Sequence, residues 1–325
     1  MANCISIVGA GAWGSALAIA LRDNFDVIYL HTYTEDELLS IKQRHPALPV
    51  DYSENIELTT DTNNLSKSDC ILIAVPSYGF ATTLEHIKPH LNPSQKIAWV
   101  TKGFDTINKC FLHESFANTI RDSYSCAISG PSFAYEVALG KPTALSVASK
   151  DKETRKYWAH KIQTDTLRAY TNDDIVGVEV GGSVKNILAI AAGISSGLGF
   201  GANTQAALIT RGLAEMIRFG KSLGANELTF NGLSGIGDLV LTCSDNLSRN
   251  RRFGMELAKN ISKEQALKNI GATVEGLNAL ELVLSIAKKT KVELPICEKV
   301  SQVVKKNITP EQAVIELMSR EQTLE

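Results

Sequence analysis

The first half of the chain alternates short apolar runs with segments in which apolar residues recur at helical spacing. Such runs, bounded by turn residues, are typical of buried strands separated by helices. Strands are predicted at Cys4–Val8, Val27–Leu30, Cys70–Val75, Ile97–Thr101, Cys126–Ser129 and Ala144–Ala148. Helices are predicted between them, for example at Tyr78–Ile87 and Asp151–Ile162. This alternation predicts βαβ units and a mostly parallel sheet with helices on both faces.

The pattern changes near residue 175, where strand-like runs fade and helical patterns dominate. Five helices are predicted: Ile175–Ala192, Thr204–Leu223, Arg251–Asn260, Glu275–Thr290 and Pro310–Met318. Gly193, Gly224 and Pro295 are expected to end or separate helices. The sequence therefore predicts an α/β domain over residues 1–175 and an all-α domain over residues 176–325.

The composition is that of a globular protein. The 325 residues suit two domains, and the net charge of -2 does not favour nucleic-acid binding. Six cysteines without a C-x-x-C pair predict buried thiols in a reducing compartment and no metal site. The N-terminus has no basic segment before its apolar run, so we expect a first strand instead of a signal peptide, and a cytoplasmic protein.

One uncharged stretch, from Asn186 to Thr210, is long enough to span a bilayer. Serines, Asn203, Gln205 and several glycines interrupt it, so we expect a buried helix or helix pair and no membrane insertion. Uncharged helical surface also favours a homodimer.

The strongest motif opens the chain, where the first strand leads into GAGAWG. Gly9 permits a tight turn, Gly11 leaves room for a pyrophosphate, and Gly14 lets the following helix pack against the strand. Ala12 and Trp13 begin that helix, whose first N–H groups favour phosphate. The motif predicts a Rossmann domain that binds NADH or NADPH.

The end of the second strand leaves the choice of dinucleotide open. An acid that grips the ribose of NAD is expected there, but the chain has Thr32 and Tyr33, and no arginine favours a 2′-phosphate. Glu35 and Asp36 come slightly later and suit the first turn of the next helix.

Two segments of the α/β domain carry polar groups just after strands. Lys102 follows the strand that ends in WVT, and Gly130 and Ser132 lie in ISGPSFA. Because the carboxyl edge of an open sheet faces the ligand, these groups are candidates for holding an anion or a carbonyl. An exposed loop lysine is the alternative for Lys102.

The helical half contains Lys185 and Asn186 within an otherwise apolar helix. Burying a lysine is costly, so Lys185 either extends its amine to solvent or serves a site. Asp238 lies in LSGIGDL, a further polar segment. The run SRNRR follows it, in which Ser248 can cap a helix and Arg249 can bind phosphate oxygens. A solvated basic helix start is the alternative for this run.

These segments together resemble the bacterial-type NAD(P)-dependent glycerol-3-phosphate dehydrogenases almost from end to end. The shared segments are GAGAWGSAL (9–17), VPS (75–77), TKGF (101–104), SGPSFA (129–134), GGSVKNILAIAAGISSGLGFGANTQAALITRGLAEM (181–216), GIGDLVLTC (235–243), SRNRRFG (248–254) and VEG (274–276). The resemblance implies a Rossmann domain, a helical domain like that of 6-phosphogluconate dehydrogenase, and a cytoplasmic enzyme that reduces dihydroxyacetone phosphate for phospholipid synthesis.

The resemblance also implies roles for individual residues, with Lys185 as the catalytic acid and base. The substrate would contact Lys102, Gly130, Ser132, Lys185, Asp238, Ser248, Arg249 and Asn250. The dinucleotide would contact Gly9, Gly11, Ala12, Trp13, Gly14, Lys102, Ala134, Arg249 and Glu275. The chain departs from the family at Thr32 and Tyr33, where many members carry a basic residue.

Two other functions remain open on the residues alone. A β-hydroxyacid dehydrogenase is one, since arginine binds carboxylates as well as phosphates. A non-catalytic dinucleotide sensor is the other, although it would need neither a buried lysine nor a second anion site.

Overall fold

The computed structural model describes residues 3–120 and 125–319. The chain divides into two compact units, Met1–Glu179 and Val180–Glu325. The first unit contains a sheet and the second is built from helices, as the two sequence patterns predict.

The sheet of the first unit has eight strands in the order β3-β2-β1-β4-β5-β6-β7-β8. Among the described strands, six of the seven neighbouring pairs are parallel, and β6 and β7 run antiparallel. The first six strands have the order typical of a Rossmann fold, which confirms the predicted fold class. The strands are β1 (Cys4–Val8), β2 (Val27–His31), β3 (Ile56–Thr59), β4 (Cys70–Ile73), β5 (Lys96–Trp99), β6 (Ser125–Ser129), β7 (Thr143–Ala148) and β8 (Leu167–Asn172).

Two of these strands were not predicted, and both lie at the edges of the sheet. In β8, buried Leu167 is followed by exposed Arg168, and β3 buries only Ile56. An edge strand covered on one face lacks the continuous apolar run that revealed the central strands. The predictions for β4 and β5 were also too long at the carboxyl end, by two residues each, because those residues belong to the loops at the sheet edge.

Helices cover both faces of the sheet. Alternate residues of β4 face opposite sides: Cys70 and Leu72 belong to one apolar core, and Ile71 and Ile73 belong to the other. The helices are α1 (Ala12–Ala20), α2 (Glu35–Ser40), α3 (Asn63–Lys67), α4 (Phe80–Ile87), α5 (Leu112–Ile120), α6 (Ala134–Ala138) and α7 (Lys152–Ile162).

The second unit is helical throughout its described residues. Its first helix, α8 (Ile175–Gly197), begins in the last residues of the first unit. The others are α9 (Ala202–Ser222), α10 (Glu227–Phe230), α11 (Asp238–Ser244), α12 (Arg249–Leu257), α13 (Lys263–Ile270), α14 (Glu275–Thr290), α15 (Pro295–Val304) and α16 (Pro310–Met318). By length and hydropathy α8 could cross a membrane, but 94% of its most apolar window is buried in the protein. It is a core helix, as expected.

Gly193 does not end α8, and this prediction was wrong. The helix continues to Gly197 because Gly193 is a contact point. A Cβ added at Gly193 would lie 1.9 Å from the carbonyl oxygen of Arg251, and one added at Gly254 would lie 2.0 Å from that of Ile190. The two glycines therefore bring the main chains of α8 and α12 together, which any side chain would prevent.

Candidate active site

The glycine turn joins β1 to α1 at the carboxyl edge of the sheet. Gly9 has a φ of 112°, and its N–H donates to the carbonyl oxygen of His31 at 3.1 Å. A Cβ on Gly9 would lie 2.9 Å from the Ala74 carbonyl carbon, and one on Gly14 would lie 1.9 Å from the Gly9 oxygen. Both positions therefore require glycine, for the turn and for helix packing respectively.

Gly11 differs because the space beside it is open. A Cβ there would meet no atom of the described residues within 4 Å, so its absence leaves room for a ligand. Gly11 is the N-cap of α1, and no side chain of the described part of the chain caps that terminus. Ala12 and Trp13 begin the helix, and Trp13 also packs on the core. A tight turn, an open cradle and an uncapped helix start fit the pyrophosphate of a dinucleotide.

The segment that follows β2 carries acids and no lysine or arginine. Burial lowers the pKa of His31 to about 4, so this histidine is neutral. Tyr33 is exposed, and its N–H donates to the carboxylate of Glu37 at 2.9 Å. Glu35, Asp36 and Glu37 form the first turn of α2, as predicted for the first two, and the sequence has no lysine or arginine from Val27 to Ile41.

Lys102, Gly130 and Ser132 come together at the same sheet edge. Strands β1, β4, β5 and β6 are parallel, so the loops that follow them share this edge. The amine of Lys102 donates to the Gly130 carbonyl oxygen at 3.0 Å, and the hydroxyl of Ser132 donates to the same oxygen at 3.1 Å. Gly130 has a φ of 152°, which favours glycine. Ala134 begins α6, which packs on α1.

Lys185 is buried in the second unit and forms an ion pair. Only 6% of the residue is exposed, which rules out an amine extended into solvent. The amine donates to the carboxylate of Asp238 at 2.5 Å and to the hydroxyl of Thr242 at 3.0 Å. The Thr242 hydroxyl in turn donates to the Asp238 carbonyl oxygen at 2.6 Å. The lysine amine is thus anchored on one face of α11.

A close main-chain contact and an unreactive thiol lie beside this ion pair. Gly181 lets α8 approach the segment before α11, since a Cβ there would lie 2.1 Å from the Ser234 carbonyl oxygen. Burial raises the pKa of the neighbouring Cys243 thiol to about 12, although Lys185 lowers it. The thiol is therefore not a nucleophile at neutral pH.

The SRNRR run divides into structural and exposed residues. Ser248 caps α12, because its hydroxyl accepts from the Arg251 N–H at 3.2 Å, which confirms the predicted cap. Buried Arg251 donates to the Cys243 carbonyl oxygen at 2.9 Å and to the Ser196 hydroxyl at 2.8 Å. The side chain of Arg249 is exposed and has no hydrogen-bond partner within the described ranges.

Asn250 and Glu275 occupy the starts of α12 and α14. The side chain of Asn250 is buried, and it bonds Asn186 on one side and the Gly276 N–H on the other, at 2.9 Å each. Glu275 is the half-buried first residue of α14.

The structure thus groups the predicted site residues within each unit. The glycine turn and the Lys102 cluster lie in the first unit, and Lys185 with Asp238 and the start of α12 lie in the second. The sequence reasoning missed Thr242 as a partner of Lys185. Its spacing of four residues from Asp238 places both on one face of a helix, a signal that was available.

The fold and the glycine turn of the first unit define the class of a dinucleotide-binding protein, and the buried ion pair of the second unit supplies a candidate acid–base group. Comparison with known proteins agrees. The N-terminal domain of NAD-dependent glycerol-3-phosphate dehydrogenase matches residues 4–155, and its C-terminal domain matches residues 174–315.

Relatives match along the whole chain. The glycerol-3-phosphate dehydrogenase [NAD(P)+] of Ruthia magnifica subsp. Calyptogena magnifica is 64% identical over 325 residues, which is 100% of both chains. That of Nitrosococcus oceani is 45% identical and covers 97% of this chain and 94% of its own. The crystal structure of glycerol-3-phosphate dehydrogenase from Coxiella burnetii is 41% identical, with a TM-score of 0.93 over 98% of this chain and 99% of that one. The chain belongs to the NAD-dependent glycerol-3-phosphate dehydrogenase family, which confirms the resemblance.

Proposed function

We propose that the protein reduces dihydroxyacetone phosphate to sn-glycerol 3-phosphate with NADH or NADPH, and that it catalyses the reverse reaction. The observation that carries this proposal is the buried ammonium of Lys185, held at 2.5 Å by Asp238 in a helix whose residues are mostly apolar. A lysine in such a place supports a role as proton donor to the oxygen of a carbonyl under reduction.

Residues 1–175 would bind the dinucleotide and residues 176–325 would supply the phosphate-binding and acid–base groups. The turn at Gly9, Gly11 and Gly14 would hold the pyrophosphate, with Ala12 and Trp13 at the helix start. Ala134 and Glu275 would contribute further contacts to the dinucleotide.

The substrate phosphate would bind at the start of α12. The guanidinium of Arg249 is exposed and has no other partner in the described part of the chain, so it is available for a bidentate contact. The first N–H groups of the helix, at Arg249 and Asn250, add partial positive charge. Binding of the phosphate at this distance from the carbonyl would position the carbonyl for reaction. In favourable cases such positioning lowers the activation free energy by on the order of 7 kcal/mol or more.

When held by the glycine turn of the first unit, the reduced dinucleotide would supply the hydride that the carbonyl carbon needs. Lys185 would stabilise the negative charge on the oxygen and transfer a proton to it, and the neutral amine would remove that proton in the reverse direction. Asp238 would stabilise the charged amine and Thr242 would fix its direction. Lys102, Gly130 and Ser132 would bind the substrate's polar groups from the first unit.

The absorbance of reduced nicotinamide tests this function directly. We expect oxidation of NADH or NADPH with dihydroxyacetone phosphate and none with a β-keto acid, whereas a β-hydroxyacid dehydrogenase would show the opposite. Dinucleotide binding without turnover of either substrate would indicate a sensor.

Arg249→Ala tests the phosphate site. We expect the KM for dihydroxyacetone phosphate to rise by about 10-fold or more, because a charged hydrogen bond contributes roughly 1.5–3 kcal/mol. The KM for the unphosphorylated ketone dihydroxyacetone should rise less, because the Arg249 contact to the dinucleotide serves both ketones and the contact to the phosphate serves only one. Arg252→Ala is the matched control, since Arg252 is also exposed on α12. Equal loss with both ketones would refute the assignment.

The family also supports a place for the protein in phospholipid synthesis in the cytoplasm. The uncharged surface at the start of α9, where Ala206 and Ala207 are exposed, supports a homodimer. Sedimentation of the purified protein measures the oligomeric state.

A further inference from the structure

A buried pair in the first unit, His113 on α5 and Glu179 on α8, joins these two helices. Nδ1 of the His113 ring lies 2.6 Å from Glu179 Oε2, and the main-chain N–H of His113 donates to Glu179 Oε1 at 3.1 Å. Only 3% of the Glu179 side chain is exposed. Burial raises the pKa of this carboxyl, and the hydrogen bonds and charge of His113 oppose the rise. Two bonds to different oxygens restrict the rotation of the carboxylate as well as its distance from α5.

Apolar packing joins the same two helices to the end of β5. Ile175 and Val178 of α8, Phe116 of α5 and Trp99 of β5 belong to one buried core. The ring centroids of Trp99 and Phe116 are 5.5 Å apart. Apolar contacts are not directional, whereas hydrogen bonds are. We therefore expect the pair of His113 and Glu179 to fix the rotation of α8 on this core.

The loop that carries Lys102 is fixed to α5 as well. Three residues after Lys102, buried Asp105 accepts from the hydroxyl of Ser115 on α5 at 2.6 Å. At the end of the loop, Phe111 stacks on His113, with 5.2 Å between the ring centroids. Helix α5 therefore contacts the Lys102 loop and, through Glu179, the start of α8.

Helix α8 is continuous from this attachment to the catalytic amine. Its start is capped, because Asp174 Oδ1 accepts from the Gly177 N–H at 2.8 Å. Lys185 follows Glu179 within the same helix, about 9 Å further along its axis. A rotation or tilt of the helix at Glu179 would therefore displace Lys185.

We propose that His113 and Glu179 are positioning residues, which fix the start of α8 to α5 and thereby place the amine of Lys185 for proton transfer. They act through the helix, since both carboxylate oxygens of Glu179 are bonded to His113. The inference rests on the proposed function, to which it adds two residues outside the groups assigned to the substrate and the dinucleotide.

The test compares Glu179→Ala, His113→Ala and the double variant. The measured quantities are kcat for dihydroxyacetone phosphate and the Kd of the reduced dinucleotide from its fluorescence. Misplacement of reacting groups by about 1 Å can cost on the order of 100-fold, so we expect each single variant to lower kcat by at least about 10-fold. The Kd should change little, because the glycine turn belongs to β1 and α1.

The double variant should lose no more activity than either single variant, since each single change already breaks the same bonds. Losses that multiply in the double variant, or an unchanged kcat in the single variants, would overturn the proposal. His113→Ala keeps the test valid if Glu179→Ala does not fold, because the His113 side chain is 17% exposed and its loss disturbs the core less.

Glu179→Gln keeps the bonds and removes the charge. Its amide oxygen can accept from the His113 N–H, and its amide nitrogen can donate to Nδ1 of the neutral ring. We expect a kcat near that of the wild type. A loss as large as that of Glu179→Ala would assign the effect to the charge of the carboxylate and overturn the proposal.

Gln95→Ala controls for a general loss of stability. Gln95 is buried just before β5, where its side chain donates to the carbonyl oxygens of Leu65 and Ser68 at 2.6 Å each and accepts from the Asn92 N–H at 2.8 Å. This variant should unfold at lower denaturant concentration, with kcat near that of the wild type. If its kcat falls as that of Glu179→Ala does, the pair of His113 and Glu179 has no positioning role.

Amide hydrogen exchange separates this inference from the proposed function. Glu179→Ala should speed exchange at residues 179–184 of α8, and Gln95→Ala should not. Equal exchange in Glu179→Ala and the wild type would overturn the inference. Wild-type protein that binds the dinucleotide but does not reduce dihydroxyacetone phosphate would contradict the proposed function, while exchange would still test the attachment of α8.

Discussion

The ion pair of Lys185 and Asp238 can be separated into a structural and a catalytic contribution. Lys185→Met removes the cation and leaves Asp238, which is 1% exposed, as a buried charge. Breaking one side of a buried pair typically costs about 3–5 kcal/mol. For a domain of this size, a loss of about 3 kcal/mol lowers Tm by about 6 to 12 °C.

The double variant Lys185→Met/Asp238→Asn removes both charges. Replacing both partners of a buried pair is often nearly neutral, so we expect its Tm to return close to that of the wild type. Turnover should not return, because no proton donor remains at the carbonyl oxygen; we expect a loss of at least about 100-fold in both variants. Thermal unfolding and nicotinamide absorbance measure the two quantities on the same samples.

An exposed pair provides the control. Lys305 lies 2.8 Å from Glu281, with 50% and 65% of the two side chains exposed, so Lys305→Met should cost less than about 1 kcal/mol. A double variant as unstable as Lys185→Met would refute the idea that an uncompensated charge causes the loss. A double variant that regains turnover would remove Lys185 from the chemistry.

Two further predictions concern the cofactor and pH. The acidic first turn of α2 should repel a 2′-phosphate, so NADH should bind more tightly than NADPH. Tyr33→Arg should shift the ratio of their Kd values toward NADPH by about 10-fold, because a guanidinium binds phosphate oxygens. Tyr33→Gln is the control, and an unchanged Kd ratio in Tyr33→Arg contradicts the prediction. Burial raises the pKa of Glu215 from 4.5 to about 7, so the folded protein binds more protons than the unfolded chain between these values. The free energy of unfolding should therefore fall as the pH rises from about 5 to 8, by roughly 2 kcal/mol from this group. The free energy of unfolding of Glu215→Gln, measured in urea, should lack this part of the pH dependence. If it changes with pH as steeply as that of the wild type, the prediction is refuted.

The sequence predicts the central part of the fold well because the buried strands and long helices have strong periodicity. It fails at β3 and β8, where an edge strand buries one face and shows few apolar residues. It also fails at Gly193, because local rules treat glycine as a helix end, whereas the contact that requires glycine comes from Arg251, 58 residues later in the chain.

In the candidate site, too, local sequence predicts some features, and contacts between distant residues determine the others. The glycine turn is local, so its role follows from spacing alone. The partners of Lys185 lie more than fifty residues away, so sequence patterns identify an unusual lysine but not the ion pair that accounts for it. Likewise, the SRNRR run indicates an anion site. Only the structure shows that the side chain of Arg251 is buried and hydrogen-bonded within the protein, whereas that of Arg249 is exposed.

The glycines of α8, together with Gly276 of α14 that packs against it, carry a consequence for redesign. Where Gly181, Gly193 and Gly276 bring main chains together, the position of the lysine-bearing helix is set by peptide groups and not by side chains that could repack. Compensating mutations in neighbouring side chains therefore cannot restore a displaced helix. Attempts to widen the substrate range should leave this scaffold intact and vary exposed positions such as Arg249 instead.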